Sequence, residues 1–66
     1  MAYAELKRSV ISRIRKARAE GVSLVDMESA APEGITVHLI INLLNAASYP
    51  VEVWVDMDRT LKKLGY

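Results

Sequence analysis

His38, Asn42 and Asn45 are the polar points of an otherwise apolar stretch. A carboxamide holds a donor and an acceptor side by side, the pattern adenine presents in the major groove. Asn42 and Asn45 are therefore candidate base contacts. His38 is a candidate phosphate or base contact. The same residues serve equally as exposed or helix-terminal polar groups without a ligand. A second set is cationic: Arg13, Arg15, Lys16 and Arg18 would bind phosphates with a salt-dependent affinity. Their alternative is a solvated helix face.

Catalytic chemistry is not visible. Asp56 and Asp58 are two apart, so on a helix their carboxylates do not face each other. There is no Cys and a single His, which leaves no plausible metal site, and neither a nucleophile–base pair nor a phosphate loop is present. The chain is not expected to be an enzyme, and no cofactor is expected.

At 66 residues the chain has room for one small domain, 1–66, and none for a doubly wound nucleotide fold or an enzyme barrel. With 52% apolar and 26% charged residues the composition is that of a folding chain. Its core must be small, and with no disulfide available, compact helices or a partner subunit must support it. The net charge of +1 hides an asymmetry. Residues 1–20 carry six basic residues against two acidic ones, whereas 21–66 carry three against six. A polyanion site must lean on the first and last segments. The basic start lacks the apolar run of a signal peptide, and the apolar stretch Leu39-Ile40-Ile41, broken at Asn42, is too short to span a bilayer. A soluble cytoplasmic domain with no membrane partner is expected.

The elements that would carry these residues are helical, at about 3–20, 23–31, 36–47 and 50–64. Tyr3, Leu6, Val10, Ile14 and Ala17 recur at three and four, with Ile11 widening the stripe, and Gly21 suits a left-handed cap. Ser23 and Asp26 make a capping-box pair ahead of Leu24, Met27 and Ala30. Pro32-Glu33-Gly34 is a turn, after which Thr36 caps a third helix that is apolar on more than one face. Val51–Val55 alternates like a wing strand, yet Val51, Trp54, Met57, Leu61 and Leu64 continue a helical stripe after Pro50. Helix is the favoured reading. Trp54 is read as core or, with Leu61, as the anchor of a dimer interface.

Arg13-Ile14-Arg15-Lys16-Ala17-Arg18 followed by Gly21-Val22-Ser23 resembles the first-helix signature of the lambda-repressor-like (Xre/Cro-type) helix-turn-helix DNA-binding domains. Ala30-x-x-x-Gly34-Ile35-Thr36 resembles that family's small-residue, glycine, aliphatic, hydroxyl run. Asn45–Pro50, leading to Leu61-Lys62-Lys63-Leu64-Gly65, resembles its closing loop and last helix. The resemblance spans nearly the whole chain. It implies an all-α, compact four-helix domain that regulates transcription in the manner of phage or prophage repressors, binding double-stranded DNA as a homodimer. By that resemblance the third helix enters the major groove and presents Thr36, Val37, His38, Ile41, Asn42 and Asn45. Arg13, Arg15, Ser23 and Thr36 would then lie at phosphates. The alternative is a helical protein–protein interaction module that uses the apolar third and fourth helices and binds little or no DNA.

Overall fold

The structure, a computed structural model, describes residues 2–66. Four helices follow in order: α1 (Tyr3–Ala19), α2 (Leu24–Ala30), α3 (Val37–Leu44) and α4 (Val51–Lys63). No strand occurs among the described residues, and Val51–Val55 is the first part of α4, not a wing. α1 packs chiefly on α4, α2 bridges α3 and α4, and α3 also touches α1. No helix among the described residues is long and apolar enough to cross a membrane.

Local signals set most boundaries. Ser23 Oγ accepts from the Asp26 N–H at 3.0 Å while the Asp26 carboxylate accepts from the Ser23 N–H at 3.3 Å, so both halves of the capping box form. Thr36 Oγ1 accepts from the Leu39 N–H at 3.1 Å. Pro50 is the N-cap of α4, one position earlier than the first helical residue.

α3 ends at Leu44, three residues before the expected 47. The reason is a left-handed residue, Ala46, at φ 57°. Its N–H bonds the Leu43 carbonyl, and the next N–H, of Ala47, bonds the Asn42 carbonyl. This is the Schellman closure that Gly21 makes after α1 at φ 102°. At Ala46 a Cβ stands where glycine is preferred. Ala46→Gly is therefore expected to stabilise the domain by about 0.5–1 kcal/mol, read as a higher urea midpoint with unchanged slope.

One core draws on every helix: Val10, Ile14 and Ala17 of α1, Met27 of α2, Ile40 and Leu43 of α3, and Trp54, Met57 and Leu61 of α4, closed by Ile35 from the α2–α3 turn. Trp54 and Leu61 are both 0% exposed, which corrects their assignment to a dimer interface. They lie on the face of α4 that meets α1 and α2, so neither offers surface to a second chain. The apolar excess of the third and fourth helices is spent in the same way. Of its large members, Ile41 and Val51 stay exposed.

Candidate nucleic-acid interface

Helical geometry separates the basic residues of α1. Arg13 and Arg15 are two apart, roughly 200° around the axis, and they point to different surroundings. Arg13 turns towards α4. Its Nη1 bonds Asp58 Oδ1 at 2.6 Å and Ser9 Oγ at 3.1 Å, and its Nε donates to the Tyr66 carbonyl at 2.8 Å. A guanidinium so engaged is a structural tie between α1, α4 and the turn after α4. It is not a phosphate contact, which corrects the expectation for Arg13. Burial would raise the Asp58 carboxyl, but hydrogen bonds from Arg13 and Lys62 outweigh it and hold the group below its ordinary pKa.

Arg15 faces the other way, exposed, in a stripe with Arg8, Ile11 and Ser12. These four residues line a surface depression of about 400 Å³. Arg15 also borders a second depression of about 370 Å³, with Arg18, Leu24 of α2, and Ile41, Leu44 and Asn45 of α3. The two share Arg15, and neither has a carboxylate in its lining. Arg15, Ile41 and Asn45, expected to act together, are thus brought together. Arg8, Arg18, Leu24 and Leu44 complete the surface. The intervals 8, 11, 12 and 15 are themselves a helical stripe, so this part was open to a reading of α1 by face.

On α3 the exposed side chains include His38, Ile41 and Asn45, while Val37 and Asn42 are half-buried. Asn42 Nδ2 donates to the Tyr49 hydroxyl at 3.0 Å, and the Tyr3 hydroxyl donates to the Tyr49 carbonyl at 2.8 Å. Asn42 is therefore held against the α3–α4 loop, which α1 holds in turn. Asn45 Nδ2 donates to the Ile41 carbonyl at 3.1 Å, closing the last turn of its own helix.

The N-termini of α2 and α3 are already supplied with anionic partners. The Val37 N–H donates to Glu28 Oε2 at 2.8 Å, so a carboxylate from α2 sits on the first turn of α3. At α2 the Asp26 carboxylate takes that place beside Ser23. Ser23 and Thr36 act as caps, and any phosphate brought to them would meet a carboxylate. Positive charge is offered along the arginine stripe instead. Glu28, nine residues before Val37, carried no local signal of this contact. No group of three or more His, Asp or Glu among the described residues could hold a metal ion.

Compared with known proteins, the chain matches no family model, no curated protein and no solved structure.

Proposed function

We propose that the protein binds double-stranded DNA as a repressor-type, helix-turn-helix regulator, with α3 at the major groove and the α1 arginines on the adjoining backbone. The observation that supports this most is the surface on which Arg15 and Arg18 lie beside Ile41 and Asn45, continued through Arg15 to Arg8, with no carboxylate in either lining. Guanidinium groups spaced along one face suit a string of phosphates. On α3, Asn42 and Asn45 retain carbonyl oxygens for a base edge, and Ile41 suits a thymine methyl. His38 stands exposed on the same helix. Pairing of two copies on a palindromic site would have to use residues other than Trp54 and Leu61.

The test is an amide NMR titration with a pool of random duplex DNA at low and at physiological salt. Salt-sensitive shifts are expected at Arg8, Arg15, Arg18 and along His38 to Asn45. The double substitution Arg15→Gln, Arg18→Gln should reduce the slope of log affinity against log salt by about 2, near 0.9 for each lost phosphate contact. Absence of shifts even at low salt would rule the reading out.

A further inference from the structure

The floor between α1 and α3 is more apolar than a phosphate backbone needs. Leu24, Ile41 and Leu44 line the depression that Arg15 and Arg18 border, and Ile11 continues the aliphatic surface beside Arg8. Ile41 is 41% exposed. A phosphodiester has no group that fills such a floor. The polar rim of the depression is Arg15 and Arg18 with the uncharged amide of Asn45. The ion pairs among the described residues are Arg13–Asp58 and Lys62–Asp58, so Arg8, Arg15 and Arg18 have no carboxylate partner among them.

An aliphatic floor with an arginine rim is complementary to a helix carrying leucines at i, i+3, i+4 and i+7 with carboxylates flanking them. A carboxylate on each side of the leucine row can take an arginine in a two-point hydrogen-bonded pair. No helix among the described residues presents such a face. The large exposed aliphatic residues are Val25, Ile41 and Val51, one to a helix, and the α4 stripe is buried.

We infer that this groove is a docking site for an acidic amphipathic helix of another protein, whose entry displaces DNA from the same surface. The displacement rests on the nucleic-acid reading above; the docking site does not. The occupant covers Ile41 and engages Arg15 and Arg18, the groups on which that reading relies. The groove is thereby a point of control, at which an acidic partner releases the regulator from DNA.

The experiment uses the full chain and a synthetic peptide of about 15 residues, long enough for the four anchors, with leucine at those positions and glutamate elsewhere. Amide shifts are expected at Leu24, Ile41 and Leu44, with fluorescence anisotropy giving the affinity. Serine in place of the leucines should weaken binding about tenfold or more, and so should Arg15→Glu with Arg18→Glu. Both arginines are exposed, and an unchanged circular dichroism spectrum would show that the variant is folded. The peptide should also release a labelled random duplex.

Shifts elsewhere, no shifts, or equal binding of the serine peptide would overturn the docking site. If DNA binds and the peptide does not, this inference fails and the nucleic-acid reading stands. If the peptide binds at the groove and DNA binds nowhere, the docking site stands and the nucleic-acid reading fails. Binding of both without displacement would overturn the proposed control.

Discussion

Replacing Trp54 with alanine is expected to unfold the domain at room temperature. Trp54 heads the fully buried side chains by size and is 0% exposed. Truncating a buried tryptophan costs about 3–5 kcal/mol, because packing is lost and the surrounding residues collapse only partly. A core in a chain this small rarely supplies more than about 3–5 kcal/mol in total, so the loss matches the whole reserve. Lys7 Nζ stands 5.5 Å from the Trp54 ring, and the substitution would remove that contact as well.

Trp54→Phe separates packing from polarity. Trp54 Nε1 is buried and has no hydrogen-bond partner. An unpaired buried donor costs about 1–3 kcal/mol. Phenylalanine removes it, offsetting part of the lost volume, and this variant is expected to stay folded. Far-UV circular dichroism with a urea titration reads both. An alanine variant that stays folded and loses only self-association would return Trp54 to an interface and contradict its place in the core.

Arg13→Ala is expected to cost about 2–3 kcal/mol at neutral pH. The Arg13 and Asp58 side chains are 19% and 15% exposed and meet at 2.6 Å, so the loss leaves a largely buried carboxylate short of its main partner. Lys62, at 3.1 Å from Asp58 Oδ2, compensates little because its side chain is 69% exposed and screened. The ties from Arg13 to Ser9 and to the Tyr66 carbonyl go with it. In comparison, Arg15→Ala should leave stability nearly unchanged, since Arg15 lies on the exposed stripe.

The same pair makes stability depend on acid. Asp58 has a lowered pKa in the folded chain, because the hydrogen bonds from Arg13 and Lys62 outweigh the opposing effect of burial. Its contribution is fully present above the ordinary carboxylate pKa of about 3.9 and is lost as pH falls through the lowered folded value. Asp58→Asn should therefore be less stable than the parent near neutrality and lose less on acidification. Urea midpoints measured across that range would show it. A parallel fall in parent and variant would exclude Asp58 as the source.

Short-range chemistry was legible in the sequence. Ser23 with Asp26, Thr36 with Leu39, and Gly21 after α1 are interactions within one turn of chain, so residue type and spacing specify them. The apolar stripes of α1 and α4 likewise announced the buried faces, because a 3.6-residue period needs no knowledge of the partner. The early end of α3 escaped that reading, since nothing in the type of Ala46 marks a left-handed residue.

Which residue of a basic run remains available for a ligand was decided by the tertiary structure. Arg13 and Arg15 are alike in type and neighbours in sequence. Asp58, 45 residues away, binds the one that faces α4. Glu28 reaches the first turn of α3 in the same way, whereas Trp54 enters the core because the apolar face of α4 that carries it packs on the other helices. The sequence by itself determined the helices, their caps and the stripes they bury. Packing determined which charges are neutralised within the chain and which face remains for a partner, because electrostatic pairing acts through space between residues that the sequence keeps far apart.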